Sequence, residues 1–217
     1  MLNIISWNVL YRMYEVKYNP ESSILKKYPD ETKRINDIIN IITSMIDNNT
    51  IISLQECSAS IIDVLKVKLH NTHDIFTMHV RDDEYLLTAI PCGYNFKDDA
   101  INQDFDCSNG IICLSNEFIR IVNCHMIPQT YAKSDVTQKI ISLKHPTKLT
   151  FVMGDFNECY SKLSLRINEY YHVPYFSRTF RNRCIDHVIF NKEFASHIKY
   201  KTYTIKTSNI SDHNLIR

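Results

Sequence analysis

Apolar positions along this chain fall into two alternating spacings. Short β-branched runs that stop at polar residues, NIISWNVL (3–10) and TIISLQE (50–56), predict strands. Between them, DETKRINDIINIITSMIDNN sets Ile35, Ile38, Ile39, Ile42, Met45 and Ile46 on one helical face, with Asp30 and Glu31 at its electropositive start. SASIIDVLKVKLHN repeats that spacing with Ile61, Ile62, Leu65 and Leu69 behind a serine cap at Ser58. Further strands are predicted over 74–80, 85–90, 110–115 and 118–126, with a long polar and aromatic loop at 91–109. A helix around Asp135 to Lys144, a strand at 148–153, a helix near Tyr160 to Tyr170 and strands at 184–190 and 200–206 complete the order. About ten strands with only a few helices among them call for two sheets packed face to face with helices outside, because one such sheet could not bury all its apolar faces.

Length and composition fit one domain over residues 1–217: the chain is 44% hydrophobic and 23% charged, enough for a large core. Its formal net charge of +1 makes no broad electrostatic claim on nucleic acid or membrane, so an anionic substrate has to be held locally, by a metal or a few cations. Seven cysteines are scattered singly without a CxxC pair, the pattern of free thiols in a reducing compartment. The nearest metal-like spacing, Cys184 to His187, reads as packing, and zinc is set aside. MLNIISWNVLY lacks the basic start of a signal peptide and is too short to span a bilayer, so a soluble protein of the cytoplasm or nucleus is expected.

The candidate chemistry sits just after apolar strands. Asn8 follows IISW, Glu56 follows IISLQ, GDFN (154–157) follows KLTFVM, and SDHN (211–214) follows the last strand. Taken singly, each is a turn or a cap. Together, Asn8, Glu56, Asp155, Asn157 and Asp212 are oxygen-bearing side chains that parallel or mixed strands would deliver to one rim, which suits a hard divalent cation with open positions for a phosphate. Phosphodiester hydrolysis also needs an oriented water and charge stabilisation, work that a histidine backed by a carboxylate performs near neutral pH. Asp186 lies inside the apolar run CIDHVIF, costly without a partner, and His213 is a candidate partner. His187 should point to the opposite face, since strand neighbours alternate.

The ordered set SWNVL, SLQE, NCHM, GDFN, CIDHV and SDHN, spanning residues 6 to 214, resembles the endonuclease/exonuclease/phosphatase superfamily of DNase I-like metal-dependent phosphoesterases. The resemblance implies an α/β four-layer αββα sandwich of two mixed β-sheets with the active site at one end. It implies that Glu56 and Asn8 hold Mg²⁺, with Mn²⁺ as a possible substitute, and that Asp212 lies on the metal side. Asp155 would orient or deprotonate the attacking water or assist the leaving group, with Asn157 fixing that water and a phosphate oxygen. His213, oriented by Asp186, would contact the scissile phosphate, and His125 would donate to a phosphate oxygen.

SWNVLYRMY, ETKR and NCHMIPQTYAKSDVTQK are similar to the CCR4-like and nocturnin-like branch, which implies an RNA 3′-exonuclease or nucleotide phosphodiesterase. A DNA endonuclease or repair phosphodiesterase is the alternative, and a non-catalytic member that binds nucleic acid or protein is the second. GDFNEC lacks the Tyr-Arg expected of an inositol-phosphate 5-phosphatase, and no apolar membrane-docking hairpin of a sphingomyelinase is evident. The expected partner is a nucleic acid or nucleotide, with no membrane and no obligate protein partner. Arg178, Arg181 and Arg183 in SRTFRNRC form either a phosphate-binding patch or solvated loop charge; Arg178 and Arg183 are the substrate-binding candidates. Tyr94, Phe96 and Phe105 either stack on a base or cover the core. Only LIR follows Asn214, so either the last strand is unusually short or the chain stops near the edge of what folding tolerates.

Overall fold

In a computed structural model, residues 2–99, 108–128, 131, 135–207 and 210–217 are described. The first sheet has the strand order β11-β12-β1-β2-β4-β3, with β1 Asn3–Asn8, β2 Thr50–Ser58, β3 His73–Arg81, β4 Glu84–Pro91, β11 Thr204–Ile205 and β12 Leu215–Ile216. The second runs β5-β6-β7-β8-β10-β9, with β5 Lys97–Asp98, β6 Ser108–Ser115, β7 Ile119–Met126, β8 Leu149–Asp155, β9 Tyr171–His172 and β10 Asp186–Asn191. Six α-helices accompany them among the described residues: α1 Arg12–Tyr18, α2 Ser23–Lys27, α3 Glu31–Met45, α4 Ala59–Leu69, α5 Val136–Ser142 and α6 Tyr160–Ile167. None is long and apolar enough to cross a membrane.

Strand alternation builds the layers. On β1 and β2, Ile5, Trp7, Ile52 and Leu54 face outward against Ile35, Ile38, Ile39 and Ile42 of α3 and Ile61, Ile62 and Leu65 of α4. On the second sheet, Val122, Cys124, Val152 and Ile189 pack outward against Val136 and Ile140 of α5 and Leu163 and Ile167 of α6. Residues of the opposite parity, among them Ile51, Leu86, Ile112, Ile121, Phe151, Met153, Val188 and Phe190, meet between the sheets. The result is the αββα sandwich expected of the sequence.

Topology gathers the candidate residues. The pairs β1–β2 and β7–β8 are parallel, so Asn8, Glu56, His125 and Asp155 all lie toward the carboxyl ends of central strands. Strands β4, β10 and β12 run antiparallel to β2, β8 and β1, so their starts lie at that same end. Glu84, Asp186 and the turn carrying Asp212 and His213 therefore reach the same rim. Beneath it, Asn123 links the sheets: its Nδ2 donates to the carbonyls of Leu54 (3.1 Å) and Leu87 (2.9 Å), and its Oδ1 accepts from Gln55 Nε2 (2.8 Å).

Several elements differ from the sequence expectation. The helices α1 and α2 were not anticipated, because Met13, Val16 and Tyr18 are exposed and no apolar stripe marks the first of them. The strand expected at 200–206 shrinks to Thr204–Ile205, since its neighbour β12 is itself only two residues long and offers no longer ladder. The serine cap holds: Ser58 Oγ accepts from Ile61 N at 3.4 Å. Phe96 is buried in the inter-sheet core and the half-buried Tyr94 donates its hydroxyl to Asn49, while Phe105 lies outside the described residues.

Candidate active site

At the tip of β2 the pairing register shifts between Leu54 and Cys57, and Glu56 takes φ +57°. A bulge of this kind re-aims one side chain out of the ladder, and Glu56 turns into the rim. Its Oε1 accepts from Asn8 Nδ2 at 2.8 Å and its Oε2 from Tyr11 N at 2.9 Å. Asn8 Nδ2 also donates to Asp155 Oδ2 at 3.2 Å, while Asn8 Oδ1 accepts from Leu10 N at 3.0 Å. Asn8 was expected to offer an oxygen to a cation. Here its amide bridges two carboxylates and its oxygen is engaged by the backbone.

Asp155 ends β8 directly opposite Asp186, the first residue of β10. Burial and the Asp186 charge push Asp155 up to about 6, against the opposing pull of His213, His125 and the Asn157 N–H, which donates to Oδ1 at 2.8 Å. Asn157, at φ +51°, is anchored by donating Nδ2 to Met126 O at 2.9 Å. Leu10, Glu56, Asn157, Arg178 and Arg181 all carry positive φ around this rim, backbone strain of the kind that clusters at functional sites.

His213 meets Asp186 as the sequence suggested: Nδ1 lies 3.0 Å from both carboxylate oxygens, and Nε2 lies 3.7 Å from Asp155 Oδ2 and 3.9 Å from Asp212 Oδ1. Burial opposes charge on this imidazole, but Asp186, Asp155 and Asp212 outweigh it and push His213 up to about 10. The carboxylate is aimed by Thr179, whose hydroxyl accepts from the Ile185 and Asp186 N–H groups at 3.0 Å each. Trp7 Nε1 and Thr207 Oγ1 both donate to His213 O, at 3.1 and 2.7 Å, so the terminal turn is tied into the first sheet. Asp212 is raised, by burial first and then by Glu56 and Glu15, and its buried Oδ1 accepts no hydrogen bond from the described residues.

A second dyad was not anticipated. His125 Nδ1 lies 3.7 Å from Glu84 Oε1, and its Nε2 lies 3.7 Å from Glu56 Oε1 and 3.8 Å from Asp155 Oδ2. Burial works against charge on His125, yet Glu84, Glu56 and Asp155 raise it on balance. Glu84 is completely buried and is fixed from behind by the Tyr14 hydroxyl and by Arg81 Nε at 3.0 Å. The available signal was an acid opening the apolar run EYLLTAI. Glu84 lies just outside the strand expected at 85–90, and its partner Tyr14 is 70 residues away in the chain, so local pattern gives it no role.

The remaining candidates divide. Phe180 stacks on the His213 ring at 4.6 Å between centroids, and the guanidinium groups of Arg181 and Arg183 cover the Phe180 ring at 5.1 and 5.6 Å. The exposed Arg183 therefore borders the site, and Arg178, also exposed, lends its carbonyl to Asn214 Nδ2 at 2.7 Å. His187 faces away from Asp186, its Nε2 donating to Glu158 O at 2.9 Å and its ring edge-on to Phe156.

The donor set fits a hard cation. Five carboxylates (Glu56, Glu84, Asp155, Asp186 and Asp212) outnumber two histidines, so the rim stays negative even with both imidazoles protonated and could not accept a phosphate unaided. Asp155, Asp186 and His213 have ligand atoms within 4.8 Å of one another, a group of metal-holding dimensions. Since His213 Nδ1 is committed to Asp186, the carboxylates on the Glu56 and Asp212 side are the better oxygens for an ion.

No protein-family model matches the sequence, and no curated protein matches it. Solved structures do. An endonuclease/exonuclease/phosphatase from Bacteroides vulgatus superposes with a TM-score of 0.69 at 15% identity, covering 99% of this chain and 96% of the other. ANGEL2, a 2′,3′-cyclic phosphatase in complex with adenosine-2′,3′-vanadate, gives 0.69 at 10% identity, covering 98% and 93%. D. rerio TDP2 complexed with a single-strand DNA product gives 0.62 at 14% identity, covering 99% and 96%. This chain has the DNase I-like fold of the endonuclease/exonuclease/phosphatase proteins.

Proposed function

We propose that this protein is a hydrolase that cleaves phosphodiester bonds in nucleic acid or nucleotides with the help of Mg²⁺, or Mn²⁺ in its place. The observation that carries the reading is the pair of carboxylate-backed imidazoles, His213 with Asp186 and His125 with Glu84, whose Nε2 atoms both face Asp155, at 3.7 and 3.8 Å. Two imidazole N–H donors converging on one carboxylate suit a tetrahedral anion attacked by a water. Glu56 and Asp212 would hold the cation, which when bound neutralises phosphate charge and acidifies water. Asp155, with its pKa near 6, is ionised at neutral pH and orients and deprotonates the attacking water. Asn157, anchored through Met126 O, fixes that water and one phosphate oxygen. His125 donates through Nε2 to a phosphate oxygen as charge develops, and His213 gives its Nε2 proton to the departing ester oxygen as the P–O bond breaks, with the water proton held on Asp155 later returning to His213. Asp186 orients His213 through Nδ1, and Glu84 faces His125 Nδ1 at 3.7 Å.

The leading substrate is the 3′ end of an RNA or a nucleotide phosphodiester. This rests on the SWNVL and ETKR motifs and on the likeness to a phosphatase bound to an adenosine vanadate. A DNA-end phosphodiesterase is the second reading, favoured by the likeness to a protein bound to a single-strand DNA product. In either, Arg178 and Arg183 contact the backbone near Phe180. The test is a panel of poly(A) RNA, nucleoside 2′,3′-cyclic phosphates, abasic duplex DNA and 5′-tyrosyl DNA with Mg²⁺ or Mn²⁺. RNA or cyclic-nucleotide cleavage that EDTA stops, and that Glu56→Ala and His213→Ala abolish, is expected. DNA-only cleavage selects the second reading, and inactivity throughout sinks both.

A further inference from the structure

A buried arginine on α3 spans the two halves of the rim. Arg34 is 1% exposed, and a cation removed from water is costly unless its donors are matched. All five of its N–H groups find acceptors. Nε donates to the two Glu31 oxygens at 3.0 and 2.8 Å. Nη1 donates to Val9 O at 2.8 Å and Ile210 O at 3.0 Å, and Nη2 to Leu10 O at 2.9 Å and to Glu31 Oε1. Glu31 is held in turn by Arg12 at 3.1 Å.

The three carbonyls are not scattered. Val9 and Leu10 directly follow Asn8, and Ile210 directly precedes Ser211, Asp212 and His213. Leu10 sits at φ +63°, a conformation a leucine keeps only when its surroundings impose it. A second tie runs beside the first: Ser211 Oγ donates to Asn8 O at 2.7 Å and accepts from His213 N at 3.0 Å. An arginine serving only to pair with Glu31 would do so in water. This one is drawn inside to clamp backbone.

We infer that Arg34 is a positioning residue, whose planar fork holds the segment after Asn8 against the segment before Asp212 and so sets how the carboxylates on the Glu56 side stand relative to His213. The inference deepens the phosphodiesterase reading and rests on it. Arg34→Lys keeps the charge and discards the fork, because an ammonium has three donors and no plane. Ile38→Ala is the control: Ile38 is fully buried on the same helix and contributes only core packing.

At a temperature where both variants are folded, kcat on bis(p-nitrophenyl) phosphate should fall at least about tenfold in Arg34→Lys with KM within about threefold. Its Mn²⁺ affinity, titrated by water-proton relaxation without substrate, should weaken. Ile38→Ala should lower the melting temperature while keeping both. Ser211→Ala should move kcat and Mn²⁺ affinity in the same direction as Arg34→Lys. Parental kcat and Mn²⁺ affinity in Arg34→Lys overturn the inference, as does a control that loses as much of both at an equal melting temperature. If Arg34→Lys does not fold, parental values in Ser211→Ala overturn it instead. A parent protein that hydrolyses no phosphodiester defeats the preceding reading, and the Mn²⁺ titrations then judge Arg34 alone.

Discussion

Asp186→Asn isolates the charge that His213 depends on, because the amide keeps nearly the same shape in the same strand. The wild-type imidazole is raised from 6.5 to about 10, which at 1.36 kcal/mol per pH unit corresponds to about 5 kcal/mol favouring the protonated form. Burial opposes that charge and persists in the variant, so with its strongest counter-charge gone the His213 pKa should fall by about two pH units or more. The sign for stability follows from the raised folded value. The pair's contribution is fully present below pH 6.5 and is lost as the pH rises through about 10, so the stability gap between parent and variant should be widest in acid and close in base. For turnover, an imidazole that has lost the carboxylate fixing its Nδ1 should cost about 10²- to 10⁴-fold in kcat on bis(p-nitrophenyl) phosphate. The assays are histidine-labelled NMR titration, urea unfolding across pH, and initial rates. A His213 signal that titrates at the parental pH in the variant, or a kcat within about threefold of the parent, refutes the reasoning.

Glu84→Gln should leave the fold intact, lower the His125 pKa and reduce kcat by about 10- to 100-fold, read from the same NMR titration and rate assay. His187, held neutral by burial with its pKa lowered to about 4, contributes stability that is present above 6.5 and is lost as pH falls through 4, about 3 kcal/mol in all. Urea unfolding at both ends of that window should show the loss in the parent and a shallower one in His187→Gln. Gly154→Ala should lower the urea midpoint by the equivalent of about 3 kcal/mol or more. Its φ is +138°, and an added Cβ would stand 1.9 Å from Cys124 O.

Local signals carried far along this chain. The isoleucine stripe of α3, the Ser58 cap and the alternating strands are short-range regularities, and each reappears where periodicity put it. Motif order also named eight residues that the fold brings to one rim, because strand ends are local and the parallel pairs face one way. What it missed was short or long-range. The α1 helix has no apolar face and is held by Tyr11 N on Glu56 and the Tyr14 hydroxyl on Glu84.

Residue types and their order were thus written in the sequence, while partners were not. Which carboxylate backs which histidine depends on Glu84 meeting His125 across 41 positions and Asp186 meeting His213 across 27. Only packed sheets create those meetings. The same holds for Asn8, whose residue type suggests an oxygen ligand but whose amide direction is set by Glu56, Asp155 and Leu10. A pKa near 10 on a histidine, or near 6 on an aspartate, is likewise a property of burial among neighbouring charges. Sequence determined the cast and its places along the chain; tertiary structure decided which groups share a proton, because hydrogen bonding and charge coupling act over a few ångströms regardless of chain distance.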